Sequence, residues 1–149
     1  MKYLRFLLPL LLLAGMAIPA TATLGEAAQS VQNDQVRMRG AVRVSQHQAY
    51  TVHELQVPYG TRVREYVSPS SGKVFAITWQ GPRIPDLRQL LGSYFDEYAR
   101  AVQSRRGHGP LLIEVPGLVV QSAGHQRSFA GRAYLPQEVP SGVRAHNLP

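Results

Sequence analysis

"TVHELQVPYGTRVREYV", residues 51–67, contains two segments of alternating apolar and polar residues on either side of one short turn. Pro58 at the second turn position and Gly60 at the fourth favour a type I turn followed by a glycine in the left-handed region. Such a turn makes a bulged β-hairpin and pairs Val57 with Thr61. This pairing sets the register of the two strands, which decides the residues that lie opposite each other.

In this register apolar residues face apolar residues, and opposite charges meet across the two strands. The predicted pairs are Thr51–Val67, His53–Glu65 and Leu55–Val63 on one face, and Val52–Tyr66 and Glu54–Arg64 on the other. A shift by one residue would move the whole apolar set to the other face, so the pattern favours this pairing.

The following segment extends the hairpin into a three-stranded meander. Residues 68–72, "SPSSG", predict a second turn, and residues 73–79 alternate as a third strand. Phe75, Ile77 and Trp79 are the larger set of this strand, so we expect them to face the core. The exposed face is then expected to carry Arg64 and Tyr66.

A change of hydrophobic period after Pro85 predicts a long helix. Asp86 can accept hydrogen bonds as the N-cap, Gln89 can complete a capping box, and Gly107 is a natural end. The residues of the apolar stripe are three and four positions apart: Leu87, Leu90, Leu91, Tyr94, Phe95, Tyr98, Ala101 and Val102.

The two flanks of the chain carry weaker patterns. Residues 24–35 favour a short amphipathic helix, and Val42 and Val44 can begin a strand. Near the C-terminus "LLIEV" and "LVVQSA" predict short strands, and a turn around Gly124 and His125 leads into "RSFAGRAYL".

These elements predict an α+β fold. We expect an antiparallel β-meander sheet packed by one long amphipathic helix, with a shorter N-terminal helix and a C-terminal hairpin. A single domain is predicted over residues 23–135. Residues 136–149 contain three prolines and few apolar residues, which predicts a flexible tail.

The N-terminus has the features of a secretory signal peptide. Lys2 and Arg5 precede an apolar run that is too short to span a bilayer, and Ala20-Thr21-Ala22 matches the small-x-small pattern before a cleavage site. We predict cleavage after Ala22, so that residues 1–22 are the signal peptide and the mature protein is periplasmic or secreted. The lack of cysteine excludes a lipid anchor at Met16 and favours a bacterial periplasm.

The charge of the mature chain bears on its partners. Removing Lys2 and Arg5 from the 16 basic residues leaves 14 against 9 acidic ones, a formal charge of +5. Arginine dominates the basic residues and binds phosphate or carboxylate in a bidentate way, although a GC-rich genome also enriches arginine. We expect an envelope protein or an anionic polymer as partner, no nucleic acid, and no stable membrane insertion of the mature chain.

Several motifs indicate a family. They are "HEL", "VREYVSP", "VFAITWQGP" and "PDLRQLLG", with "LGEAAQSV" directly after the signal. Through these motifs the mature chain, up to about Tyr134, resembles the bacterial family catalogued as domain of unknown function 2844. The resemblance implies exported, single-domain proteins found mainly in proteobacteria with no established activity, and it assigns no catalytic residues.

His53 and Glu65 are the sharpest candidates for chemistry, because the register opposes them on an otherwise apolar face. A histidine held by a carboxylate is the beginning of a general base or of a metal site. The alternative is a buried polar pair with a structural role. Neither a nucleophile nor a further ligand lies nearby in sequence, and no histidine spacing matches a metal motif, so we expect no metal and no cofactor.

Four residues are candidates for binding: Arg64, Tyr66, Trp79 and Arg83. Arg64 and Tyr66, together with Tyr59 and Arg62, could line a groove for an anionic or glycan ligand, or could form an exposed cross-strand ladder. Trp79 and Arg83 belong to a proline-containing loop before the helix. Loops fixed on rigid scaffolds often carry binding, although Trp79 can equally fill the core.

The sequence favours a non-catalytic binding or interaction module of the bacterial envelope, because no complete catalytic set can be assembled from its residues. The alternative is a small hydrolase-like enzyme that uses the His53 and Glu65 pair. We therefore expect binding without turnover.

Overall fold

The computed structural model describes residues 23–27, 41–107 and 109–149. Within these ranges seven strands form one antiparallel sheet in the order β1-β2-β3-β4-β7-β6-β5. The strands are β1 (Ala41–Gln46), β2 (Thr51–Gln56), β3 (Arg62–Val67), β4 (Val74–Gly81), β5 (Leu111–Val115), β6 (Leu118–His125) and β7 (Ser128–Tyr134). The α+β class with an antiparallel sheet is therefore confirmed.

The helical part between β4 and β5 covers residues 87–104. It consists of α1 (Leu87–Leu91), a 3-10 turn at Gly92–Tyr94, and α2 (Phe95–Ser104). Asp86 is the N-cap as predicted, and its carboxylate accepts hydrogen bonds from the backbone N–H groups of Arg88 and Gln89. The helix ends at Ser104, three residues before Gly107, because Arg105 already has extended backbone angles.

The β2–β3 hairpin has the predicted register, pair by pair. The N–H of Val57 donates to the carbonyl of Thr61 at 2.9 Å. The turn type differs from the prediction, because Tyr59 (φ 74°, ψ 12°) as well as Gly60 (φ 85°) lies in the left-handed region. Proline followed by a residue of positive φ is the geometry of a type II turn, and here a tyrosine occupies the position that usually requires glycine.

The sheet has two different faces, which follow from the alternation of side chains along each strand. The helix face, marked by Leu55, Val63 and Ile77, packs against α1 and α2 and forms the larger apolar cluster. The opposite face, marked by Glu54, Arg64 and Thr78, is called the groove face below. Within the helix, Leu90 and Leu91 are buried against the sheet, as their spacing predicted.

The prediction that Phe75 shares a face with Ile77 and Trp79 is wrong. A β-bulge interrupts the pairing between Tyr66 and Val67, so that Val67 pairs with Val74 while Tyr66 pairs with Ala76. A bulge inserts one extra residue and reverses the alternation beyond it. Phe75 therefore packs with Tyr66 in a second apolar cluster on the groove face.

This second cluster also corrects two further expectations. Tyr66, expected on the exposed face, is 1% exposed because the end of the chain covers it. Residues 136–149 were predicted to be a loose tail, whereas Ala145 and Leu148 are buried in the same cluster. The tail contains few apolar residues, but those few meet an apolar surface that the local sequence does not reveal.

The predicted N-terminal helix is not supported where it can be checked. Leu24 and Gly25 form a turn, and Ala27 makes an isolated bridge to Lys73, while residues 28–40 lie outside the described residues. Leu24 donates its N–H to Leu90 at 3.1 Å and Gly25 donates to Val74 at 2.8 Å. These bonds to the helix and to β4 replace the local bonds that a helix would need.

The C-terminal part of the chain contributes three strands to the main sheet, whereas the sequence predicted a hairpin. Strand β7 pairs with β4, and β6 and β5 follow outward from it. The β6–β7 turn lies at Gln126 and Arg127, where Arg127 has φ 60°, two residues beyond the predicted position. The pairing of β7 with β4 brings distant residues together on the groove face.

Candidate functional site

An open groove of about 540 Å³ lies on the groove face. Residues from strands β3, β4, β7, β6 and β5 line it, together with Leu148 and Pro149. Five adjacent strands span roughly 19 Å at the usual strand spacing. The site is therefore long and shallow, with the dimensions of an extended ligand.

Three arginines line this groove, and the sheet positions each of them. Arg62 and Arg64 alternate along β3, so both side chains point to the same face, about 7 Å apart at the backbone. Arg64 pairs with Thr78, and Thr78 pairs with Arg132 on β7. Arg64 and Arg132 thus stand two strands apart, about 10 Å, in one row.

Small side chains beside the arginines give the groove its depth. Gln80 on β4 pairs with Ala130 on β7, which pairs with Ala123 on β6. The same three residues line the groove. A large residue at either alanine would fill part of the groove, so these small side chains keep it open.

Glu54 partly neutralises the arginines at one end. Its Oε2 accepts a hydrogen bond from Nε of Arg64 at 2.8 Å, and its Oε1 lies 3.5 Å from Nε of Arg62. The hydrogen bond from Arg64, followed by the charges of Arg62, Arg64 and Arg43, lowers the pKa of Glu54 despite some burial. None of the described side chains that line the groove is acidic, so its three arginines outnumber the one adjacent carboxylate of Glu54.

We call Arg62, Arg64, Thr78, Gln121 and Arg132 the arginine groove. Gln121 pairs with Arg132 and extends the polar row toward β5. Arg132 and Gln121 were missed at the level of sequence. The alternation in "RSFAGRAYL" could have shown that Arg132 lies on one face of its strand and that Phe129 and Ala133 lie on the other. Only the β4–β7 pairing places Arg132 beside Arg64.

The structure separates the four residues proposed for binding. Arg64 lines the arginine groove, and Tyr66 lies on the same face one row away, beneath the chain end. Burial raises the pKa of Tyr66, and its hydroxyl donates to the carbonyl oxygen of Pro149. Trp79 is one of the residues that line the groove, but it is only 2% exposed and packs in the core cluster of the helix face. Its indole N–H has no hydrogen-bond partner among the described residues.

Arg83 lies at a separate corner of the molecule. Its guanidinium stacks over the ring of Tyr59 at 4.3 Å, and Tyr59 is 72% exposed. Thr61 fixes this corner, because its hydroxyl donates to the carbonyl of Arg83 at 2.7 Å. A side chain at Gly81 would collide with the backbone of Thr61, so the two loops touch closely.

The His53 and Glu65 pair has the predicted geometry on the helix face. The two residues are direct partners across β2 and β3; His53 is half-buried and Glu65 is 0% exposed. Burial lowers the pKa of His53, which favours its neutral form. The partners next to them in the row, Val44 and Ile77, are apolar and offer no nucleophile.

The described residues contain neither a group of metal ligands nor a membrane-spanning helix. Within the ranges that the structure describes, no three His, Cys, Asp or Glu side chains lie close enough to hold one metal ion together. No helix in the same part of the chain is long and apolar enough to cross a membrane.

An antiparallel sheet with helices on one face and a cationic groove on the other defines an α+β domain. The chain belongs to the family described as "Protein of unknown function (DUF2844)", whose model matches residues 20–148. The family suspected from the motifs is thereby confirmed. No curated protein and no solved structure matches the chain significantly.

Proposed function

We propose that the protein is an exported, non-catalytic binding module of the bacterial envelope that holds an anionic polymer in the arginine groove. The observation that carries the proposal is that Arg62, Arg64 and Arg132 line one open groove with no acidic side chain in its described lining. The polymer would bear carboxylate or phosphate groups, the anions that arginine binds in a bidentate way.

The shape of the site supports a polymer more than a small ion. A single phosphate needs several donors that converge on one point. Arg62 and Arg64 converge on Glu54 instead, and Arg132 stands two strands away from Arg64. Gln80 and Gln121 add neutral donors and acceptors between the charges. An extended chain with repeated anionic groups can meet several of these positions at once.

Export is the second part of the proposal and is supported by the sequence. Lys2 and Arg5, the apolar run and the Ala20-Thr21-Ala22 pattern together are typical of a cleaved signal peptide. An exported protein meets the anionic polymers of the envelope, which gives the basic groove a partner in its own compartment.

The alternative function is a small hydrolase-like enzyme that uses His53 and Glu65. The observed opposition of the two residues favours it, and the apolar neighbours Val44 and Ile77 weigh against it. A general base needs a hydroxyl, a thiol or a positioned water to activate. We rank this alternative second, and no substrate follows from its geometry.

The proposed function can be tested by calorimetric titration of the mature protein with polygalacturonate, polyphosphate and neutral dextran. The groove variant is Arg62→Gln/Arg64→Gln, which keeps an amide near Glu54. The control is Arg100→Gln/Arg106→Gln, which removes the same charge from exposed positions near the helix. A thermal melt of each variant checks that it folds.

We expect the wild type to bind a charged probe and to ignore dextran, and the preferred probe identifies the anionic group. The groove variant should bind about tenfold more weakly, as expected for the loss of about 1.4 kcal/mol, while the control changes less than about twofold. Equal losses in both variants would mean that overall charge, and no particular site, attracts the polymer. A wild type that binds neither charged probe would end the proposal.

A further inference from the structure

The end of the chain already occupies part of the arginine groove. We call residues 144–149 the C-terminal strap. Arg132 donates a hydrogen bond to the carbonyl oxygen of His146, and the hydroxyl of Thr78 donates to the carbonyl oxygen of Pro149 at 2.9 Å. Tyr66 donates to the same Pro149 oxygen. Two donors of the groove are therefore satisfied by backbone oxygens of the strap.

From these contacts we propose that the anionic polymer displaces the C-terminal strap, and that its oxygens take the positions of the His146 and Pro149 carbonyls on Arg132 and Thr78. The inference rests on the proposed function and deepens it. It adds Thr78 and Arg132 as ligand-binding residues, and it makes the strap an internal competitor of the ligand.

The strap is held by a small number of contacts. Ala145 and Leu148 are its buried side chains, and Arg144, His146, Asn147 and Pro149 are exposed. Internally it makes one short 3-10 turn at Ala145–Asn147, with N–H to carbonyl bonds from Asn147 to Arg144 and from Leu148 to Ala145. A segment with so little buried surface can open locally while the sheet stays folded.

Electrostatics favour the exchange of strap for ligand. The carbonyl oxygen of His146 is a neutral acceptor, whereas a carboxylate or phosphate oxygen on the guanidinium of Arg132 makes a charge-assisted and stronger bond. Arg62 and Arg64 lie in the same groove and attract the polymer from the side that the strap leaves open. The bond between an anion and Arg132 is therefore stronger than the bond to the His146 carbonyl that it replaces.

The test combines binding with amide hydrogen exchange of the mature protein, followed by mass spectrometry. Addition of polygalacturonate or polyphosphate should speed exchange in residues 144–149, because the displaced strap loses the packing of Ala145 and Leu148 that supports the turn bonds of the Asn147 and Leu148 amides. Leu148→Ala loosens the strap and should bind the probe about threefold more tightly, since the competitor is weakened. Tyr66→Phe, which keeps the ring and loses the bond to Pro149, should act in the same direction.

The matched control is Val139→Ala, which loses a similar contact in the same apolar cluster but lies outside the groove lining. It should leave affinity unchanged. If the probe binds while exchange in the strap slows or stays the same, or if both Leu148→Ala and Tyr66→Phe bind no more tightly than wild type, displacement is wrong and the proposed function stands. If neither the wild type nor the loosened variants bind, the proposed function fails as well.

Discussion

Gly131 shows how much one side chain can decide in this sheet. It lies opposite Trp79, and a Cβ atom at Gly131 would stand 2.2 Å from the indole ring. The absence of a side chain lets the largest residue of the core lie flat across β7. The same contact explains why Trp79, a binding candidate in the sequence, is a packing residue in the structure.

We predict that Gly131→Ala destabilises the domain by about 1–3 kcal/mol, because the added methyl overpacks a filled core. Chemical denaturation measures the loss. Ala130→Val is the control, since Ala130 is exposed on the other face and a β-branched residue suits a strand. Equal stability of Gly131→Ala and wild type would contradict the described contact.

His53 provides a prediction for pH. Its pKa in the folded state is lowered from 6.5 by burial, so below pH 6.5 the unfolded chain takes up a proton more readily than the folded one. Stability from this residue is therefore lost as the pH falls from about 7.5 to about 5.5. His53→Leu should show a smaller loss over this range than the wild type.

Glu54 does not change its charge in this pH range, because its pKa is lowered and its carboxylate stays ionised. His125→Leu, at an exposed position, is the control and should follow the wild type. A His53→Leu variant that loses as much stability as the wild type would contradict the burial of neutral His53.

Among the elements, the helix and the β2–β3 hairpin were predictable because their signals are local. Asp86 as the cap, the apolar stripe and the Pro58–Gly60 turn act within a few residues. The bulge at Tyr66 and Val67 was not predictable, since no single residue demands it. Its consequence is the transfer of Phe75 to the other face, where Phe75 belongs to the same apolar cluster as Ala145 and Leu148 of the strap.

We predict that Asp86→Ala destabilises the domain by about 1 kcal/mol, because two backbone N–H groups lose their acceptor. Thermal or chemical unfolding measures this loss. Asp96→Ala is the matched control, an exposed carboxylate 3.8 Å from Arg88, and should change stability by less than about 0.5 kcal/mol. A reversed order of the two variants would show that the cap has no stabilising role.

For the whole molecule, the candidate site depends on contacts between residues far apart in sequence. Arg64 and Arg132 meet across Thr78 because β7 returns from beyond the helix to pair with β4. The sequence indicated Arg64 as a binding candidate and predicted each strand from its residue pattern. It did not reveal the order of the strands in the sheet. The strap was missed for the same reason, since its partners Tyr66 and Thr78 precede it by more than 70 residues.

The most direct test of the arginine groove is nuclear magnetic resonance of the arginine Nε–Hε groups during titration with polygalacturonate or polyphosphate. We predict that the signals of Arg62, Arg64 and Arg132 move with the probe, while those of Arg100 and Arg106 stay in place. Movement confined to Arg83 or to the helix arginines, with the groove arginines unchanged, would contradict the account.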